Sequence, residues 1–183
     1  MKKEIFQTIE IPEGIEIKIV GNMLRIKGEK GEIERKFALK NISLEKKGDS
    51  IIIGSKKATK SEKKIINTSF SHIKNMIKGV KEGFEYKLKI CSSHFPISIE
   101  IKNKEAIIKN FLGEKISRKS KILDNVEVAI NKDIITVFSY NKELAGQTSA
   151  NFEKATRITG KDRRIFQDGI FITSKAGKEI WVK

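Results

Sequence analysis

Cysteine is almost missing from this chain: Cys91 is its one thiol, so no disulfide can form within it. Histidine is nearly as scarce, and His72 and His94 with a single cysteine make no zinc ligand set. Aromatic residues amount to 7% and most phenylalanines fall on core periods, which argues against the rows of stacking platforms that single-strand nucleic-acid binders use. No apolar run approaches the roughly 18 residues needed to span a bilayer. The opening MKKEIFQTIEIPEG alternates charges and lacks the apolar core of a secretory signal. Together these absences predict a soluble protein of a reducing intracellular compartment, with no cofactor, no metal and no membrane partner.

What the chain has is positive charge. Its 183 residues carry 38 Lys and Arg against 23 Asp and Glu, a net charge of +15. No block of like charge is long enough to be a detachable tail, so the charge belongs to folded surface. A field of that sign concentrates polyanions and speeds their association. Nucleic acid is the first partner class, an anionic membrane surface the second and an acidic protein the third. Hydrophobic residues at 38% suffice for the cores of one domain or two small ones.

An internal repeat organises the chain. IKIVGNMLRIKGEKGEIERK from Ile17 resembles IEIKNKEAIIKNFLGEKISRK from Ile99, pairing Ile17 with Ile99, Ile26 with Ile108 and Gly31 with Gly113 at an offset of 82. At an offset of 83 the pairs become Ile33 with Ile116, Arg35 with Arg118 and Lys36 with Lys119, and SIIIGSKK falls on DIITVFSY. The expected organisation is two copies of one small unit, residues 1–82 and 83–183. Alternating Ile15, Ile17, Ile19 and Leu24, Ile26 about Gly21-Asn22 read as a hairpin. From Thr59 the period changes, with Thr59 and Glu62 spaced as a capping box before Ile66, Phe70, Ile73, Ile77 and Val80 on one helix face, and Gly79 as the stop. Leu144, Thr148, Phe152, Ala155 and Ile158 repeat that stripe, with Gly160 ending it. FEYKLKI, with Phe84, Tyr86, Leu88 and Ile90 on one face, reads as a half-exposed strand between them. The predicted class is α+β: a tandem duplication of an antiparallel sheet covered by one helix.

Few residues invite chemistry. Cys91 and His94 lie three apart and could form a nucleophile and base, but no carboxylate is near to orient the histidine, so a structural thiol is expected. Asp162 and Asp168 could pair; Asp168-Gly169 reads better as a turn. No phosphate-binding loop or dinucleotide fingerprint occurs. No enzyme and no small-molecule substrate are expected.

The basic segments remain. GEKISRKSK places Lys115, Arg118, Lys119 and Lys121 after a glycine turn, and TRITGKDRR places Arg157, Lys161, Arg163 and Arg164 at the end of the second helix, with Lys175 beyond. Four of the six arginines fall there. Guanidinium groups match phosphate oxygens bidentately, and holding them beside a turn lowers the entropy lost on binding. Ile165, Phe166, Ile170 and Ile172 are expected to pin that loop. Lys2, Lys3, Lys56 and Lys57 read as isolated solvating charges. Scarce aromatics favour folded RNA, recognised by shape and phosphate.

The segments HFPISIEIKNKEAIIKNFLGEKISRK and NKELAGQTSANFEKATRITGKDRRIFQDGIFITSK resemble the archaeal and eukaryotic form of the sixth large-subunit ribosomal protein, whose eukaryotic counterpart is numbered nine, and IPEGIEIKIVGNMLRIKGEKGEIER supports them. The bacterial form's tyrosine-lysine-glycine-lysine-glycine segment is not present. The resemblance implies two homologous units that bind large-subunit rRNA, chiefly through the second, near the factor-binding region and the sarcin-ricin loop. It implies neighbouring ribosomal proteins and passing translation factors as partners, and a cytoplasmic place in the large subunit. Lys115, Arg118 and Lys119, then Lys142, Gly146 and Gln147, then Lys161, Arg163 and Arg164 match the family's elements. Gln147 and Asn151 would add hydrogen bonds to sugars or base edges. The competing expectation is a basic RNA- or DNA-binding regulatory module outside the ribosome.

Overall fold

The computed structural model describes residues 3–39, 41–162 and 164–180, and the chain divides into two compact units, residues 1–83 and 84–183. In the first, β1 (Lys3–Glu10) is followed by a meander of β2 (Glu16–Val20), β3 (Met23–Gly28) and β4 (Gly31–Lys36), then by the hairpin β5 (Ser43–Lys47) and β6 (Ser50–Ala58), and by α1 (Lys60–Lys81). The strands form two antiparallel sheets, ordered β1-β6-β5 and β2-β3-β4. Alternation along each strand sends Ile17, Leu24, Ile26 and Ile33 inward, with Ile51 and Ile53 from β6. The buried face of α1 (Ile66, Ile73, Met76, Ile77, Val80) packs on β1, β3, β4 and β6. Each such side chain, fully buried, contributes roughly 1.5–3 kcal/mol of transfer free energy.

Local chemistry sets the bounds of α1. Thr59 and Glu62 make the expected capping box. Gly79 is not the stop: it is buried within the helix, which runs to Lys81 and turns out at Gly83, where φ is +81°. The extra residues carry Val80 to the β3–β4 hairpin, where its carbonyl accepts the Lys30 N–H at 3.0 Å. Phe6 lies across Gly54 of β6, and a Cβ there would collide with the Phe6 ring and the Ile5 carbonyl.

The second unit repeats the plan and enlarges it. β7 (Phe84–Cys91) leads to the meander β8 (Ser98–Lys102), β9 (Glu105–Lys109) and β10 (Arg118–Lys121). The hairpin β11 (Glu127–Asn131) and β12 (Ile134–Ser139), α2 (Lys142–Ala155) and the hairpin β13 (Gly169–Lys175) and β14 (Lys178–Glu179) complete it. One sheet is β10-β9-β8; the other is β11-β12-β7-β13-β14, with β7 central. Phe84, Tyr86, Leu88 and Ile90 of β7 form its core with Ile135, Val137, Phe152 and Ile170.

Strand register corrects the internal alignment. In the first unit Ile26 pairs with Ile33, and in the second Ile108 pairs with Arg118, so Ile33 and Arg118 hold the same place, 85 residues apart. The β9–β10 connection has taken in three residues relative to the offset of 82, folded as a 3-10 turn at Phe111–Gly113 with Asn110 and Leu112 at positive φ. Likewise buried Ile51 and Ile53 answer to buried Ile135 and Val137, not to exposed Ile134.

Two expectations for the second helix also change. Its buried face is Ala145, Thr148, Ser149 and Phe152, with Leu144 half-exposed, and it ends at Ala155, short of Gly160. Thr156 ends it instead: its hydroxyl accepts the Ile170 N–H at 2.9 Å, tying the helix end to β13.

Candidate nucleic-acid interface

Arg118 opens β10 with its side chain 28% exposed, and its guanidinium is engaged from three directions. Nε and Nη2 donate to the two carboxylate oxygens of Glu114 at 2.8 and 2.6 Å. Nη1 donates to the carbonyls of Ala155 and Arg157 at 3.0 and 3.1 Å. The plane lies 4.3 Å from the centroid of buried Phe111. A cation at carbonyls left free by a helix end is favoured by the helix dipole. Arg118 is therefore a positioning residue that fastens the 110–117 loop to the end of α2, with little of its fork left for phosphate. The carboxyl of Glu114 is held below the usual glutamate range, first by the Arg118 hydrogen bonds and, less, by the charges of Arg118 and Lys161.

That clamp holds the backbone of Arg157 against the loop that carries Lys115, and the charge of Lys161 is felt at Glu114 within it; all three side chains are exposed. Lys161 Nζ stands 4.6 Å from the Phe166 ring centroid. Arg164, its side chain 89% exposed, forms a forked pair with Asp162, Nη2 to Oδ2 at 2.8 Å, and its own N–H donates to Oδ1 at 2.9 Å. The pair holds the Asp162 carboxyl below its ordinary value. An ion pair in water contributes little, so phosphate can replace Asp162 at small cost. Arg163 lies outside the described residues.

The loop is pinned differently from the sequence expectation. Ile165 is 73% exposed and Phe166 37%, whereas Asp168 is buried and accepts the Ser93 N–H at 2.8 Å. The turn falls at Arg164 and Ile165, the N–H groups of Ile165 and Phe166 reach the Asp162 carbonyl, and Asp168-Gly169 leads straight into β13. Ile170 is fully buried and Ile172 half-buried, as pins.

The remaining predicted residues are dispersed. Lys119 Nζ lies 3.5 Å from Glu105. Asn151 donates to the Lys121 carbonyl at 3.0 Å and accepts from Gln147 at 3.0 Å, so its amide joins α2 to β10 and Gln147 braces it from the same helix. Lys142, at the start of α2, has its Nζ 5.8 Å from the Phe84 ring, and Lys175 pairs with Tyr86 in the sheet, which places both where β7 begins. Gly146 serves packing, since a Cβ there would lie 3.4 Å from Tyr86 Oη. Sequence reasoning missed the apolar members: Phe95, whose ring closes on Gly113, and Ile116, 84% exposed beside Lys115. HFPI and EKIS carried no period to expose them.

Cys91 is half-buried in β7 opposite Gly169, and among the described residues no group of His, Cys, Asp and Glu could hold a metal. Among them, too, no helix is long and apolar enough to cross a membrane.

The family model described as Ribosomal protein L6 matches the chain twice, over residues 11–83 and 95–169, one match in each unit. The chain is similar to proteins named large ribosomal subunit protein uL6 from three archaea. It is 42% identical to that of Methanobrevibacter smithii over 93% of this chain and 96% of the relative. It is 43% identical to those of Methanocella arvoryzae and Methanosarcina mazei, each over 96% of this chain and 100% of the relative.

Proposed function

The chain belongs to the ribosomal protein L6 family, of archaeal type, and from that premise we propose that it is a structural constituent of the large ribosomal subunit, in the cytoplasm, bound to large-subunit rRNA. The second unit makes the principal contact, near the factor-binding region and the sarcin-ricin loop, with ribosomal proteins as neighbours and translation factors passing close by. Its role is assembly and architecture, without catalysis.

The observation that carries this reading is the clamp at Arg118. One arginine, paired with Glu114 and bonded to two carbonyls, ties the backbone at Arg157 to the loop of Lys115, with the Arg157, Lys161 and Lys115 side chains exposed to solvent. Cations already fixed lose less entropy on binding. Neutralising phosphates releases condensed counterions, which supplies affinity and makes it fall with salt. Fixed turns at residues 110–117 and 164–165 add recognition of shape, the mode expected for A-form RNA, whose deep groove side chains cannot read.

The test is titration of the full chain against the large-subunit rRNA domain containing the sarcin-ricin loop, beside an unrelated RNA of equal length, at several salt concentrations. The expected result is preference for the cognate domain that survives near-physiological salt. Arg157→Ala with Lys161→Ala should lower that affinity while leaving the melting temperature within about 1 °C, since both side chains are solvated and exposed substitutions of this kind are near neutral. Equal binding to both RNAs would favour the regulatory module outside the ribosome, which a high-salt wash of large subunits would strip.

A further inference from the structure

Five lysines of the first unit lie within residues 56–64, where β6 gives way to α1. Lys56 and Lys57 lie near the end of β6, and Lys60, Lys63 and Lys64 lie at the start of α1; all five are exposed. As a string, Lys56 and Lys57 read as isolated charges. The fold brings Lys57 and Lys60 to either side of Thr59, which alone turns the strand into the helix, while Lys56 lines a groove on the sheet with Phe6, Gly54 and Glu45. The one acid within residues 56–64 is turned away: Glu62 accepts the Thr59 N–H at 2.9 Å and its hydroxyl. None of the five lysines takes an ion pair among the described residues. Across the sheet Glu4 lies on β1 between the pairs Lys3 with Ala58 and Ile5 with Ser55, and Glu45 of β5 shares the groove of Lys56.

The folded chain gains nothing from cations in this place. Lys60, Lys63 and Lys64 sit at the positive end of the dipole of a 22-residue helix, where acids stabilise and lysines oppose. Either sign would solubilise the surface, and glutamate would do so at a profit in stability. A requirement outside the fold therefore explains the sign. Its chemistry is legible: residues 60–64 offer point charges without a guanidinium fork, and no exposed apolar or aromatic side chain. Protein interfaces have an apolar centre, which is lacking here. Phosphodiester backbone needs none. Nor is the first unit short of charge: residues 1–83 carry 19 Lys and Arg against 11 Asp and Glu, and residues 84–183 carry 19 against 12.

We propose that Lys60, Lys63 and Lys64 form a second RNA-binding surface, on the first unit, which takes the sugar-phosphate backbone of large-subunit rRNA without reading its bases. The proposal rests on the ribosomal reading above. Lys60, Lys63 and Lys64 share one helix face at i, i+3 and i+4, so three phosphates of one strand can be met together.

The test uses the full chain with Lys60→Gln, Lys63→Gln and Lys64→Gln together, against a control triple of Lys18→Gln, Lys27→Gln and Lys30→Gln, all exposed on or beside β2 and β3. The readout is the slope of log K against log salt for the cognate rRNA domain, with thermal melting alongside. The expected result is a slope reduced by about 2 to 3, since each phosphate-bound lysine contributes roughly 0.7 to 0.9. Melting should not fall, and the control slope should not move. An unmoved slope in a chain that still prefers the cognate RNA overturns this surface alone, as does an equal loss in both triples. An unmoved slope with lost retention on subunits marks an acidic protein neighbour and overturns the RNA assignment. A wild-type chain with no preference for the cognate RNA overturns the ribosomal reading and this surface with it.

Discussion

Arg118 shows how much of one residue's role depends on what surrounds it. As a letter in a basic run it looks like a phosphate ligand; in the fold its fork is filled by Glu114 and two carbonyls, and its plane by Phe111. The pair makes a pH signature. The folded pKa of Glu114 is lowered, so its contribution is fully present above the unfolded value, near 4.5, and is lost as pH falls through the lower folded value. Glu114→Gln should therefore melt below the wild type at neutral pH, and the two curves should converge as the pH drops below about 4.5. Curves that stay parallel in acid would mean that the carboxylate charge is idle. Arg157, its neighbour on the surface, has no such internal duty and its loss should be read in RNA affinity alone.

At the level of elements, close approach decides more than charge. Gly54 of β6 lies beneath Phe6 with the Ile5 carbonyl on its other side, so Gly54→Ala must push β1 away from the sheet. An overpacked site of this kind costs about 1–3 kcal/mol, and chemical denaturation should show it as a lower midpoint. A variant as stable as the wild type would show that β1 yields freely. The capping box, the alternating strands and the helix periods were legible in the string because each is a local pattern: Thr59 with Glu62, or Phe84 to Ile90. The helix stops were not, since Gly79 looks like a terminator and only contact between Val80 and the β3–β4 hairpin keeps the helix going past it. Register slipped for the same reason: three residues absorbed into the turn at Phe111–Gly113 leave a repeat legible while shifting every pair after it. Of the candidate interface, the string shows which residues are basic but not which of them the fold engages internally, as it does Arg118. Asp168, read as a turn residue, is the buried anchor, and Ile165 and Phe166, read as anchors, are exposed.

For the molecule as a whole, duplication has supplied two scaffolds that were then elaborated unequally. The meander, hairpin and helix recur in both units, while the second adds β13 and β14 to the sheet and a clamp where the first keeps a buried isoleucine, Ile33. Each unit has its own core, which predicts that residues 84–183 made alone will fold and melt cooperatively. That fragment should keep its preference for the cognate RNA with a shallower salt dependence than the full chain. A fragment that fails to fold would show that the second core depends on residues 1–83.

The strand order of the larger sheet also sets a sequence of events during synthesis. β7, which opens the second unit, stays unpaired on one edge until β13 is made, and the loop bearing Arg157, Lys161 and Arg164 lies between α2 and β13. A nascent chain thus completes its first unit early. It can fasten that loop at both ends only after Asp168 and Ile170 have emerged to meet Ser93 and β7. A chain interrupted before Gly169 would carry nearly all the positive charge with that loop fastened only at the Arg118 clamp, and so would be a weak competitor for the place its finished counterpart takes.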